Sequence, residues 1–316
     1  MVVVGSDVQR AKDGAILKRT LVAASYDPKT RTWRELAPAG APSDLGYSSV
    51  WTGREMLVWG QGSHLAYEPA TDRWRTFPSS KLLSIHDAHG LVAWTGREMI
   101  GWGGGCCGDA FSDGVAYNPT TNAWRALPRS PLAGSQGPVG AWDGRELLVF
   151  VGNTDPDGRR WPARLARAAA YEPSTNTWRR LAPAPLEITG ALPVWDGHEL
   201  LVAGAGGGRA LLAFDPKTNR WRRLAPMPGA RAGGSAVWSA RHLVVWGGRT
   251  GSSLPRTALV YDQRTNRWTT DAAAPVAGRQ NASAVSTGRA LIVFGGVRAA
   301  RPSGNRYFTD GASFTP

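Results

Sequence analysis

The sequence predicts an all-β fold of repeated four-stranded antiparallel sheets, and three observations predict it. First, an aromatic residue is followed seven positions later by tryptophan in six copies, as from Tyr171 to Trp178. Second, an apolar run recurs between these copies, as in residues 56–60 (Met-Leu-Val-Trp-Gly). Third, glycine (39) and proline (22) make up about a fifth of the 316 residues, which is typical of short strands joined by turns.

Each repeat contains four predicted strands, which we call a, b, c and d. Strand a ends at the tryptophan of a Trp-x-Gly turn, and strand b is the apolar run after that turn. Strand c ends at the aromatic residue, and strand d carries the tryptophan seven residues later. In the c–d turn, proline fixes φ and Asn or Asp tolerates left-handed backbone. The unbroken apolar run of strand b predicts burial on both faces.

Four antiparallel strands every 40 to 55 residues is the period of a propeller blade. The apolar run, the double glycine after it (Gly247 and Gly248; Gly295 and Gly296), the later tyrosine and the final tryptophan resemble the kelch-repeat family. The resemblance covers essentially the whole chain. Within the kelch family, the chain is most similar to the propeller of the galactose-oxidase type. It implies a single kelch-type β-propeller domain spanning residues 1–316.

The strand count predicts seven blades, with six or eight as alternatives. Residues 1–5 align with strand b and residues 314–316 with strand c, so we expect both terminal blades to be incomplete. Because open sheet edges are templates for pairing, either the ring lacks two strands or the chain is part of a longer one. We favour the second interpretation. A missing leader would favour a secreted or cell-surface location.

Charge and hydropathy narrow the classes of partner. No apolar run approaches the roughly 20 residues that cross a bilayer, so the sequence predicts no transmembrane segment. The net charge of +13 comes mostly from arginine, since there are only five lysines. We interpret it as a solvated arginine-rich surface, typical of a GC-rich genome, with a basic face for acidic partners as the alternative. Nucleic-acid binding is not predicted, because the arginines lie on repeat turns rather than along one track. We expect a monomer.

Length variation is concentrated in the b–c loops. The strand-d tryptophan lies 19 to 22 residues before the next a–b turn, whereas that turn lies 14 to 27 residues before the next strand-c aromatic residue. In a propeller the b–c and d–a loops share one end of the blades. Variable loops on a rigid scaffold commonly carry function, so we expect ligand binding at this end.

One b–c loop holds the first set of candidate ligand contacts. Trp161 is the only tryptophan outside the recurring positions, and Arg159, Arg160 and Arg164 flank it. A tryptophan among arginines could stack on a sugar or anchor a peptide that carries carboxylates. The alternative is a tryptophan folded over its own loop. Another b–c loop, residues 297–307, is basic and implies no particular chemistry.

The d–a loops provide a second set of candidates. The position seven residues before the residue that ends strand a (tryptophan, or Ser286 in the last repeat) is Asp44, Asp87, Arg231 or Arg279 in four of the repeats. The order of these residues predicts an acidic side and a basic side at the mouth of the central channel.

Cysteine and histidine give weaker signals. Cys106 and Cys107 are adjacent, so they are two free thiols or a strained vicinal disulfide, and a metal site is disfavoured. His86 and His89 form the only histidine cluster, a weak metal candidate with no evident third ligand. The remaining turn histidines, including His198 and His242, are expected to be solvated.

These observations predict a non-catalytic recognition platform for a protein segment or a glycan, with no cofactor. The alternative is a carbohydrate-active propeller enzyme, similar to a sialic-acid mutarotase or an oxidase, that uses the same end of the blades. Kelch-type copper oxidases use tyrosine and histidine ligands and a cysteine cross-linked to tyrosine, and no such set is evident. No catalytic residue can be assigned from spacing, because any two loops of a ring can meet.

Overall fold

A computed structural model describes residues 1–10, 16–39, 47–60, 63–80, 90–105, 108–152, 166–300 and 304–315. The regular elements of these residues are all β-strands. They form seven blade sheets, so the predicted fold class, an all-β propeller with four-stranded antiparallel blades, is confirmed. In this part of the chain, no helix has the length and apolar character needed to span a membrane.

The chain divides into two compact units. The first comprises Met1–Pro138 and Tyr171–Trp178, and the second comprises Val139–Asn153, Ala166–Ala170 and Arg179–Pro316. Blades 1 to 3 belong to the first unit. Their strands are β1 (Val2–Arg10), β2 (Ile16–Asp27) and β3 (Thr32–Glu35); β4 (Tyr47–Trp51), β5 (Met56–Gly60), β6 (Ser63–Glu68) and β7 (Arg73–Thr76); and β8 (Leu91–Trp94), β9 (Met99–Trp102), β10 (Gly114–Asn118) and β11 (Ala123–Ala126).

Blade 4 contains residues that are assigned to each of the two units. Blades 5 to 7 belong to the second unit. Blade 4 consists of β12 (Val139–Trp142), β13 (Leu147–Phe150), β14 (Ala168–Glu172) and β15 (Thr177–Arg180). Blades 5 and 6 consist of β16 (Leu192–Trp195), β17 (Leu200–Ala205), β18 (Ala210–Asp215) and β19 (Arg220–Leu224); and β20 (Ala232–Ser239), β21 (His242–Arg249), β22 (Thr257–Asp262) and β23 (Arg267–Ala273). Blade 7 consists of β24 (Ser283–Ser286), β25 (Leu291–Phe294) and β28 (Gly311–Phe314), with a hairpin of β26 (Val297–Ala300) and β27 (Gly304–Tyr307) inserted before β28.

The terminal blades are incomplete in the predicted way. Blade 1 has strands b, c and d, and blade 7 has strands a, b and c. Two details differ from the prediction. Strand β1 continues to Arg10 instead of ending near Gly5, because it pairs along its length with β2. The expected loop after Gly296 forms a hairpin, and Val297 exchanges both backbone hydrogen bonds with Gln280, which satisfies its polar groups.

Strand b is buried on both faces, as predicted, and the pleat explains why it needs an unbroken apolar run. In β17, Leu200 and Val202 enter the core between blades 4 and 5, whereas Leu201 and Ala203 enter the core between blades 5 and 6. Successive side chains of a strand point to opposite faces, so β17 serves two cores. All four of these side chains are fully buried.

The repeated tryptophan of strand d links each of blades 2 to 6 to the one before it in the chain. The indole Nε1–H of Trp221 donates a 2.9 Å hydrogen bond to the carbonyl oxygen of Ala182, just after the last strand of blade 4. Four other copies make the same bond at 2.6 to 3.0 Å: Trp74 to Ala37, Trp124 to Pro78, Trp178 to Pro128 and Trp268 to Ala225. The fixed spacing of seven therefore reflects an inter-blade hydrogen bond.

The tyrosine and asparagine of the same unit complete this link. Tyr261 stacks obliquely on Trp268 and donates its hydroxyl to Asn266 Oδ1 at 2.8 Å. The same Oδ1 accepts the backbone N–H of Ala225 in the preceding blade at 2.9 Å. Asn266 has a φ of 53°, in the left-handed region that asparagine tolerates best among residues with a side chain. One side chain therefore shapes the c–d turn and joins two blades.

Many repeat arginines are neutralised within their own blade. Arg179 on strand d forms a bidentate pair with Glu146, which precedes strand b, through contacts of 2.6 and 2.7 Å. Equivalent pairs join Arg75 to Glu55, Arg125 to Glu98 and Arg222 to Glu199. The hydrogen bond to Glu146 is the main reason that the pKa of Arg179 is raised. Part of the arginine excess is thus structural.

We predict that Trp221→Phe destabilises the protein by about 1–3 kcal/mol, because the Ala182 carbonyl group loses its donor in a partly buried place. Thermal or urea unfolding measures the change. Trp51→Phe is the matched control, since Trp51 is 51% exposed on strand a and should change stability by less than about 0.5 kcal/mol. Equal effects of the two substitutions would contradict the proposed link.

We also predict that Arg31→Asn stabilises the protein by about 0.5–2 kcal/mol. Arg31 occupies the left-handed position of the blade 1 turn with a φ of 58°, where other blades have Asn or Asp. Asparagine relieves this strain and offers an acceptor to the Tyr26 hydroxyl. The control is Arg73→Asn, outside the left-handed position, which should not raise the melting temperature. A lower melting temperature for Arg31→Asn would show that the turn of blade 1 follows other rules.

Candidate functional site

Only two of the candidate ligand residues fall within the described part of the chain, Arg231 and Arg279. The others lie outside the described residues and stay predictions: Trp161, Arg159, Arg160, Arg164, Asp44, Asp87, Cys106, Cys107, His86 and His89. The acidic side of the predicted channel mouth therefore has no structural description.

Arg279 is a buried structural hub in blade 7, with only 1% of its surface exposed. Its Nη1 donates to Asp310 Oδ1 at 2.5 Å and to the Gly295 carbonyl oxygen at 3.0 Å, and its Nε donates to the Ala277 carbonyl oxygen. The guanidinium carbon lies 3.9 Å from the centre of the Phe308 ring. The hydrogen bond from Arg279 lowers the pKa of Asp310.

Arg231 occupies the equivalent place in blade 6. Its Nη1 donates to the carbonyl oxygen of Gly247 at 3.2 Å, sixteen residues away, just as Arg279 bonds Gly295 sixteen residues away. Its Nη2 donates to Thr257 Oγ1 at 3.1 Å. Arg231 is 6% exposed, and burial lowers the pKa of its guanidinium group. Both arginines therefore hold the first glycine of a double-glycine turn.

The second glycine of that turn is required by close packing. A Cβ on Gly248, whose φ is 75°, would lie 2.7 Å from the carbonyl oxygen of Arg231. A Cβ on Gly296, whose φ is 96°, would lie 2.7 Å from the carbonyl oxygen of Gln280. Only glycine fits both the conformation and the space.

The two arginines thus lie inside the blades rather than on the surface where a channel mouth was expected. Each keeps one buried nitrogen without a hydrogen-bond partner among the described residues, Nε of Arg231 and Nη2 of Arg279. Ile188, at the same position of blade 5, is also buried. Their role as ligand contacts stays a prediction.

Two clefts lie at the opposite end of the blades, where the a–b and c–d turns are. The cleft of the first unit lies between blades 2 and 3, has a volume of about 760 Å³ and is lined by Trp94 and by charged side chains. Two of these, Arg54 and Arg75, are already paired with Glu68 and Glu55. Its charged groups are therefore largely engaged.

The cleft of the second unit lies between blades 5 and 6 and has a volume of about 780 Å³. We call it the blade 6 cleft; it is lined by Asp196, His198, Trp238, Ala240, Arg241, His242, Asp262, Gln263 and Arg264. Trp238, at the end of strand a, is only partly buried. His198 is exposed, as expected. His242 differs from expectation, because its Nδ1 is buried and has no partner in the described structure.

The blade 6 cleft was missed by reasoning from sequence, although the sequence carried a signal. Five of the a–b turns have a glycine after Thr or Asp, with a positive φ. In blade 6 the turn is instead Ala240 and Arg241, with φ values of 48° and 68°. Two successive side-chain-bearing residues in the left-handed region are strained, and such strain is concentrated at functional sites. The departure from the repeat marks this turn.

The described residues contain no group of three or more histidine, cysteine, aspartate or glutamate side chains that could hold a metal ion. Most carboxylates near the clefts already accept hydrogen bonds; for example, Asp262 Oδ1 accepts the backbone N–H of Arg264 at 2.8 Å.

Comparison of the sequence with known proteins does not identify a family. No protein-family model matches the chain, and no curated protein matches it.

We predict that Arg279→Met destabilises the protein by about 3–5 kcal/mol, because the carbonyl groups of Ala277 and Gly295 lose their donor inside the blade and Asp310 loses its partner. Chemical unfolding monitored by tryptophan fluorescence measures the loss. Asp310→Asn is the control, since Asp310 is 55% exposed and asparagine keeps an oxygen acceptor. A smaller loss for Arg279→Met than for Asp310→Asn would contradict the structural role of the arginine.

Proposed function

We propose that this chain is a kelch-type propeller that serves as a non-catalytic recognition platform. The ligand is a protein segment or a glycan, bound at the end of the blades that carries the b–c and d–a loops. The observation that carries the proposal is the restriction of length variation to the b–c loops. The distance from the a–b turn to the next strand-c aromatic residue, which includes this loop, varies between 14 and 27 residues. Loops free to vary on a fixed scaffold are suited to recognition.

The rigidity of the scaffold supports this proposal. The strands that flank each variable loop, b and c, are the most deeply buried in the blades, as in β9 and β10. The turns at the other end keep constant lengths because they carry the inter-blade hydrogen bonds. A b–c loop can therefore change length without disturbing the tryptophan hydrogen bonds that link the blades at the other end.

The chemistry of the loop from 153 to 165 suits carboxylate or sugar ligands. Trp161 offers a flat apolar surface, and Arg159, Arg160 and Arg164 offer planar donors that bind carboxylates in a bidentate manner. We propose these four residues as the principal contacts. Arg231 and Arg279 support the neighbouring turns from inside.

Glycan and peptide arrays probed with the whole chain test this proposal. We expect wild type to bind one class of ligand, and Trp161→Ala to lose at least about tenfold in affinity, as alanine substitution of an aromatic anchor does. Trp51→Ala, an exposed tryptophan on strand a, is the matched control and should bind like wild type. Arg160→Gln should weaken carboxylated ligands more than neutral ones.

The outcome also separates the alternatives. Unchanged binding by Trp161→Ala and Arg160→Gln would contradict the proposed site. Accelerated interconversion of sugar anomers, followed by NMR, or turnover of a bound glycan would replace the platform with the carbohydrate-active enzyme.

A further inference from the structure

The blade 6 cleft collects the departures from the repeat in blade 6. The c–d turn has proline two residues after the aromatic residue in five copies, but Gln263 in blade 6. The a–b turn of the same blade has Ala240 in place of the usual glycine. The arginine after it, Arg241, occupies a repeat position, but its φ of 68° departs from that of the equivalent arginines, such as Arg54. Both departures line the same cleft. Because the other blades show what the fold alone requires, these residues need another explanation.

Gln263 acts across the cleft. Its Nε2 donates to Asp196 Oδ2 at 2.8 Å and to Glu199 Oε2 at 3.3 Å, both on blade 5. The amide oxygen accepts no hydrogen bond from the described residues and is available to a hydroxyl group. A proline could not make these hydrogen bonds. The presence of Gln263 instead of proline therefore adds a polar side chain to the cleft.

Two guanidinium groups at the cleft are available to a ligand. Arg241 and Arg264 are exposed, and neither side chain forms an ion pair or hydrogen bond within the described ranges. This contrasts with the arginines of strand d, which pair with glutamate. Arg241 is held at the cleft by a strained turn, whose Ala240 N–H is bonded to the Gly288 carbonyl oxygen at 3.0 Å. A free guanidinium on a strained support is suited to a carboxylate.

The remaining lining indicates a polyhydroxylated ligand with a small charge. Trp238 gives an apolar surface on which a pyranose ring can stack. Asp196 and Asp262 balance the two arginines in formal charge, which disfavours a polyanion. Gln263 and the imidazole groups of His198 and His242 add hydrogen-bonding groups of both kinds. A volume of about 780 Å³ is sufficient for one or two sugar rings.

We propose that the blade 6 cleft binds an acidic saccharide of the uronate type. The ring lies against Trp238, the carboxylate is bound by Arg241 and Arg264, and a hydroxyl group donates to Gln263 Oε1. This site is distinct from the b–c loop site of the proposed function and does not depend on it.

The test uses two sugars that differ only in the carboxylate. Methyl β-D-glucuronide and methyl β-D-glucoside are titrated into the whole chain, and binding is followed by NMR or calorimetry. We expect the glucuronide to bind at least about tenfold more tightly, the value of one good charge-assisted contact. No glucuronide binding at tens of millimolar, or equal binding of both sugars, would overturn the proposal.

Two variants separate binding from folding. Arg241→Gly supplies the residue that the left-handed turn prefers, so it should keep or raise the melting temperature while losing the preference for the glucuronide. Gln263→Pro restores the residue found in the other copies and should fold normally while weakening both sugars. Trp161→Ala should leave glucuronide binding unchanged. If Arg241→Gly and Gln263→Pro bind like wild type, or penta-glutamate competes as well as the glucuronide, the assignment is wrong.

Discussion

The fold depends on one repeated interaction, the hydrogen bond from the strand-d tryptophan to a carbonyl oxygen of the preceding blade. Each blade alone is a small sheet with two apolar faces, and four strands cannot bury both. The interaction fixes how neighbouring blades meet, and strand b then fills the cores on either side. In blades 3, 4 and 6 a tyrosine hydroxyl and a left-handed asparagine, as at Tyr261 and Asn266, hold the tryptophan side of the turn in place. A single turn thus sets the contact between sheets, and the same tryptophan bond recurs in blades 2 to 6.

This dependence explains where the chain can vary. The end of the blades with the c–d turns carries the inter-blade bonds and keeps its lengths. At the opposite end the b–c loops differ in length, although their first residues still bond a neighbouring blade, as the Gly248 N–H does to the Arg279 carbonyl oxygen at 2.8 Å. At the end with the c–d turns, a residue that differs from the repeat is conspicuous because the other blades keep the same residue type there. Gln263 in place of proline and Ala240 in place of glycine are departures of this kind, and both lie at one cleft.

The fold could be predicted from sequence because every copy repeats the same physical requirements. The apolar run of strand b, the turn proline and the Tyr-to-Trp spacing each follow from local geometry, and six copies remove ambiguity. The hairpin after Gly296 was not predictable, since its strands pair with each other inside a loop and Val297 also bonds Gln280, a residue of another loop. The burial of Arg231 and Arg279 was missed for a similar reason. An arginine in a loop suggests a surface, and the carbonyl groups that accept its hydrogen bonds are sixteen residues away. The blade 6 cleft forms where turns of blades 5 and 6 lie side by side, and the spacing of residues in the sequence does not predict that contact.

Hydrogen exchange of the indole N–H groups, followed by NMR, tests the inter-blade bond most directly. The indoles of Trp74, Trp124, Trp178, Trp221 and Trp268 donate to carbonyl groups of neighbouring blades, whereas those of Trp94, Trp142, Trp195 and Trp238 on strand a make no such bond within the described residues. If the bond holds the blades together, the first group exchanges only in openings close to global unfolding and the second exchanges far faster. Equal, rapid exchange in both groups would show that packing alone joins the blades.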